Sequence, residues 1–89
     1  MMCIFIFHDL KSNTWVNPFL CPTAHDAIRA TIGAVNKPGT NLSDFSADFV
    51  LYQSGSISDE DGRLNPFPDP VLITPCSSLK KSETKLEKA

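Results

Sequence analysis

No hydrophobic run in this sequence approaches the roughly 20 residues that a membrane-spanning helix needs. The longest is Met1 to Phe7, and no basic stretch precedes it as in a secretory signal, so a soluble, unexported chain is expected. Cysteine is sparse: Cys3, Cys21 and Cys76 are odd in number and far apart, without the paired spacing of a disulfide scaffold or a zinc knuckle. Reduced thiols in a cytosol fit that pattern. Positive charge is not in excess either. Ten acidic against eight basic side chains leave a net charge of −2, which excludes a polybasic peptide that condenses DNA by neutralising phosphates wholesale. There is no repeat of fixed period and no catalytic signature.

What is present is ordinary globular material. The 89 residues have room for one core, and 42% of them are hydrophobic, unlike a disordered chain. A core this small must take in nearly every large apolar side chain or hide some in an oligomer interface, so a homo-oligomer is one option. Charge is uneven along the chain. Through Cys76 there are four basic and eight acidic residues, whereas Ser77 to Ala89 hold four lysines and two glutamates. The expected organisation is one domain over residues 1–76 and a flexible basic tail over 77–89.

Cys3-Ile4-Phe5-Ile6-Phe7 predicts a first strand, apolar on both faces and therefore central and covered, ending at His8-Asp9 with turn residues Lys11-Ser12-Asn13. Trp15 to Cys21 predicts a second strand, placed at an edge by Pro18. Thr23 then caps a helix, with Asp26 completing the cap. Ala24, Ala27, Ile28, Thr31, Ile32 and Val35 form its apolar stripe, and Asn36 with Pro38-Gly39 stops it. A polar connection follows, which Leu42 and Phe45 are expected to pin to the core. Phe49 to Tyr52 and Ser56-Ile57 predict a strand with Gly55 at a bulge, and Asp59-Glu60-Asp61-Gly62 a hairpin turn. Pro66, Pro68 and Pro70 interrupt the return, and Val71-Leu72-Ile73 is a last short strand. The fold class is α+β: a small antiparallel sheet of four to five short strands with one helix packed across a face, in the order β-β-α-β-β-β.

Several of these pieces together carry a resemblance: Phe7-His8-Asp9 followed by Lys11, Asn17-Pro18-Phe19 before Cys21-Pro22-Thr23, Asp26-Ala27-Ile28-Arg29, Val35-Asn36, Asp48 to Tyr52, Gly55, the acidic turn, and Val71-Leu72-Ile73. In this order, from Ile4 to Pro75, the chain resembles the small nonstructural protein from the fifth reading frame of gokushovirus-type microviruses, bacteriophages with circular single-stranded DNA. The resemblance implies a part in phage DNA replication, or in the switch to single-stranded genome synthesis, in the host bacterial cytoplasm. The lysine-rich tail is not a fixed feature of that family.

The residues themselves argue against chemistry. His8, His25 and the cysteines offer no local pair of metal ligands, and no histidine or cysteine stands in an activating context, so neither a metal, a cofactor nor an enzyme is expected. The acidic turn lacks the alternating ligands of a calcium loop. Eight aromatics on or beside strands point instead to base stacking. Phe5, Phe7 and Phe49 are assigned to the core, and Trp15, Phe19 and Tyr52 to exposed stacking. Lys11, Arg29 and Arg63, with Lys80 and Lys81 of the tail, are the phosphate contacts. Single-stranded DNA is the expected partner. The alternative is an adaptor that binds the phage replication initiator or a host replication protein through the edge near Pro18 and the tail, without DNA.

Overall fold

Alternate residues of β1 (Met2–Asp9) point to opposite sides of a sheet, and both sets are largely apolar, which suits the strand to an interior position. It pairs antiparallel with β2 (Thr14–Cys21) on one side and β3 (Phe49–Ile57) on the other, and β3 pairs with β4 (Leu64–Pro75). The order is β2-β1-β3-β4 in this computed structural model, which describes residues 1–81. Helix α1 (Ala24–Val35) packs across one face of the sheet, so the α+β class and the central place of the first strand hold.

The Thr23 hydroxyl starts α1 by accepting the Asp26 backbone N–H at 3.1 Å and donating to the Asp26 carboxylate. This satisfies a donor that the first turn leaves free, and the acidic side chain suits the positive end of the helix dipole. The helix stops at Asn36 as expected. Asn36 keeps a negative φ of −100°, and closes the helix with its side chain, which donates to the carbonyls of Ile32 (2.9 Å) and Leu79 (3.0 Å). Ala27, Thr31 and Val35 are buried beneath the helix, and the Thr31 hydroxyl is satisfied by the Ala27 carbonyl at 2.8 Å. Phe5, Phe7, Phe49, Leu51 and Cys76 complete the core.

Between α1 and β3 the chain forms a short helix α2 (Asn41–Asp44) and a single 3-10 turn, Ser46–Asp48. Leu42 packs on the core as expected, but Phe45 does not and is 55% exposed. The β3–β4 turn closes where Ser58 donates to the Arg63 carbonyl at 2.9 Å, and Gly62 supplies the positive φ of 72° that the turn requires. The two strands expected after this turn are one, β4. Leu64 to Pro66 pair with Ile57 to Gly55, Val71 to Pro75 pair with Gln53 to Val50, and Phe67 to Pro70 bulge out opposite Ser54. Ser54 is itself an extra residue against β1, since Ile4 pairs with Gly55 and Phe5 with Gln53.

Both outer strands are interrupted by residues with no N–H to offer. β2 contains Pro18, and β4 contains Pro66, Pro68, Pro70 and Pro75. Residues 77–81, which the sequence assigns to the tail, are tied to the fold. Cys76–Leu79 form a 3-10 turn with Cys76 fully buried, Lys80 Nζ donates to the Ser43 carbonyl (2.6 Å) and hydroxyl (2.8 Å), and the Lys81 N–H donates to Asn36 Oδ1 (2.7 Å). Residues 82–89 of that tail lie outside the described residues.

Candidate nucleic-acid interface

Directly opposed residues of an antiparallel pair share a face, so the register identifies the side of the sheet turned away from α1. His8 pairs with Trp15 and Val50, Ile6 with Tyr52, Ile4 with Leu20, Tyr52 with Leu72, and Ile57 with Leu64. Helix α1, Leu42 of α2 and Cys76 all pack on the other face. This corrects the expectation that β1 is covered on both sides: Ile4 and Ile6 are half-buried by their neighbours in the sheet, and Leu20, Leu64 and Leu72 are exposed.

Three rings gather at one end of the open face. The His8 imidazole stacks on Trp15 with centroids 4.4 Å apart and planes 19° apart. Tyr52 meets Trp15 edge-on at 4.9 Å and 67°, and meets His8 edge-on at 6.3 Å. These offset and perpendicular arrangements suit aromatic quadrupoles. The His8 ring is further braced by Asn13 of the β1–β2 turn, whose Oδ1 lies 3.0 Å from Nε2. That turn is built by Asp9, whose carboxylate accepts the N–H groups of Lys11 (3.0 Å) and Ser12 (3.4 Å), and by Asn13 at φ 57°. One side of Trp15 is thus occupied by His8, while 44% of the residue remains open to solvent. His8 is not among the stacking residues that the sequence predicts; the signal that could have found it is its place directly across the β1–β2 turn from Trp15.

Trp15 and Tyr52 are therefore brought together, but Phe19 is not with them. It faces α1, with ring centroids 5.6 Å from both Phe5 and Phe7, and lines an apolar cleft of about 170 Å³ with Ala30, Ala34 and Leu42. The cause is a bulge in β2. Phe5 pairs with Phe19 and Phe7 with Val16, so β2 spends one residue more than β1 over this interval, and Asn17 absorbs it with φ 52°. The bulge reverses the alternation between Trp15 and Phe19.

The basic side chains are dispersed. Lys11 lies in the β1–β2 turn at the aromatic end, where it shares a cleft of about 310 Å³ with Asp9, Asp48, Asn41 and Phe45. Arg63 is in the β3–β4 turn, at the other end of β1, with its Nε 3.7 Å from the Asp61 carboxylate. Arg29 is exposed on α1, on the far side of the sheet, and Lys80 and Lys81 are tied to Ser43 and Asn36 on that same side. Lys11 is in the turn at the aromatic end, but its cleft, which Phe49 also lines, lies toward the side of the sheet that α1 and α2 cover, in locally acidic surroundings.

Among the described residues no group of three or more His, Cys, Asp or Glu is arranged to hold a metal ion. Burial pushes the Cys76 thiol up to about 11, which keeps it protonated and unreactive at neutral pH. Among the described residues no helix is long and apolar enough to cross a membrane. The arrangement offers an aromatic and aliphatic surface for stacking and apolar contact. No curated protein and no solved structure matches the chain. A family model described as "Phage ORF5 protein" does match, over residues 2–79, which takes in every element of the sheet, α1 and the Cys76–Leu79 turn: the chain belongs to the phage ORF5 protein family.

Proposed function

We propose that this phage protein assists viral DNA replication, or the change to single-stranded genome synthesis, by holding single-stranded DNA on its open sheet face, with no enzymatic step. A microviral origin and the host bacterial cytoplasm as its place of action belong to the same proposal. The observation that carries it is the cluster of His8, Trp15 and Tyr52 on a sheet face that α1 leaves bare. Unpaired bases stack on such rings at about 1–3 kcal/mol per base, whereas a duplex keeps its bases stacked on each other. Lys11, in the turn that joins His8 to Trp15, supplies about one phosphate contact, so the slope of log affinity against log salt is near −0.7. Binding of this kind is weak and nearly independent of salt and sequence.

Trp15 is the sole tryptophan, so its fluorescence reports directly on the site. Titration of the protein with a short single-stranded oligonucleotide at low salt is expected to quench it, and a matched duplex to leave it unchanged. Trp15→Ala should weaken binding, followed by anisotropy of a labelled strand, by roughly 5- to 150-fold. Absence of quenching and of anisotropy change at low salt would refute the proposal, as would loss of binding on removing only residues 82–89.

A second reading is favoured by the aliphatic part of the face. Ile4, Ile6, Leu20, Leu64 and Leu72 carry no charge for a phosphate and suit a protein partner, such as the phage replication initiator or a host replication protein. Capture of the initiator by the protein, lost in Leu72→Asp while DNA binding persists, would favour that adaptor role.

A further inference from the structure

The structure brings together two cysteines that stand 18 positions apart in sequence. Cys3 and Cys21 are directly opposed residues of the β1–β2 pair. Opposed Cα atoms in an antiparallel ladder are about 4.5 or 5.5 Å apart, depending on whether the pair is the hydrogen-bonded kind, and both values fall within the roughly 4.4–6.8 Å range of disulfides. The two side chains share the helix-facing side, where both pack at the margin of the core, and both are free thiols of intermediate exposure. The Cys3 thiol is held by a hydrogen bond to the Pro22 carbonyl at 3.5 Å, next to Cys21 in the chain. Cys76, by contrast, is fully buried.

We infer that Cys3 and Cys21 form a modification site: a cross-strand dithiol that closes to an intrachain disulfide under a disulfide oxidant. The reaction is ordinary exchange. One cysteine thiolate attacks a sulfur of oxidised glutathione, forming a mixed disulfide and releasing one glutathione thiolate, which takes up a proton. The second cysteine, deprotonated, attacks the protein-side sulfur of that mixed disulfide. The Cys3–Cys21 bond forms and a second glutathione leaves. Two protein thiols are oxidised by two electrons, and one glutathione disulfide is reduced to two thiols. The cross-link staples the end of β2, the edge strand that carries Trp15, to the centre of the sheet.

The full chain, reduced and desalted, is incubated with reduced and oxidised glutathione in graded ratios and then blocked with a maleimide. Peptide mapping should show residues 3 and 21 joined, with Cys76 labelled only after unfolding. The oxidised protein should melt higher by on the order of 10 °C, because the staple closes the 18-residue separation in the unfolded chain. Cys21→Ser should stop at a glutathione adduct or remain reduced, and Cys76→Ser should still close the bridge. Glutathione on both cysteines without a link, disulfides only between chains, or no reaction of either thiol would each overturn the inference. The mapping on the unsubstituted chain decides this even if a variant fails to fold. It also involves no DNA, so its outcome is separate from that of the stacking proposal.

Discussion

Substituting alanine for glycine at positions 55 and 33 is expected to move stability in opposite directions. A Cβ at Gly55 would stand 2.6 Å from the Asn65 carbonyl oxygen and 2.9 Å from Pro66 Cα, against the 3.4 Å at which ordinary contact begins. The β4 backbone would have to retreat by about 0.8 Å at the first and about 0.5 Å at the second, differences taken from those distances. Both clashing atoms are main chain and have no rotamer to escape into. The retreat pulls on the pairs Gly55–Pro66, Ser56–Asn65 and Ile57–Leu64, which join β4 to β3 beside the turn. Overpacking of this kind costs about 1–3 kcal/mol, and the lower unfolded-state entropy of alanine offsets roughly 0.5–1 of it. The two ranges leave a net loss of about 0–2.5 kcal/mol, and a clash with two main-chain atoms belongs in its upper part, about 1–2 kcal/mol, which corresponds to a fall in Tm of about 4–16 °C for a domain of this size. Gly33 lies exposed in α1 with nothing within 4 Å of the point where an alanine methyl would stand, so alanine there should add roughly 0.5–1 kcal/mol. Urea unfolding followed by circular dichroism, with thermal melts alongside, measures both. A Gly55→Ala protein as stable as the parent, or a Gly33→Ala protein less stable, would refute the packing described for the β3–β4 ladder or for the exposed side of α1.

Three further outcomes are expected from the same unfolding assays. Leu51→Ala empties a fully buried position in the central layer and should cost about 2–5 kcal/mol, a large share of the total stability of a small domain. Thr23→Ala removes the side-chain acceptor for the Asp26 N–H and should cost about 1 kcal/mol, with fraying of the first turn of α1 visible in amide exchange. Cys76 sets an alkaline limit: its thiol titrates near its ordinary value of 9.0 when unfolded but near about 11 when folded. Between those values the folded state holds more protons, so this contribution to stability is complete below pH 9 and is lost as pH rises toward 11. Cys76→Ala should abolish that slope while lowering stability at neutral pH.

Local signals in the sequence make much of the fold legible. α1 starts at a Thr-capped turn and carries an apolar stripe, the Asp59–Gly62 segment contains a glycine where positive φ is needed, and Pro18 marks an edge. What escapes such signals is set by register. Trp15 and Phe19 are four residues apart and share a face in an unbroken strand, but Asn17 in left-handed backbone separates them. Asparagine adopts that conformation at modest cost, so nothing in composition announces the bulge. Likewise, the wide separation of Cys3 and Cys21 conceals the opposition imposed by the β1–β2 pairing. Apolar residues on both faces of β1 predict cover on both sides, yet a single helix can cover only one. Of the candidate site, Trp15 and Tyr52 are readable as aromatics beside polar residues. The part of His8 is not, because it depends on a cross-strand contact.

The prolines on the two rims bear on how copies of this protein can meet. A sheet lengthens by adding strands at its edges, and that mode of association has no natural end, since each added copy presents a fresh edge. Here either rim would offer a newcomer an incomplete ladder, at Pro18 on one side and at four prolines on the other. Open-ended ribbons are thereby disfavoured. Growth in number is left to the broad apolar surface, where two copies related by a two-fold axis would cover each other and leave nothing for a third. Light scattering across a concentration series should accordingly find monomer or a dimer that saturates, and never a progressive increase in size.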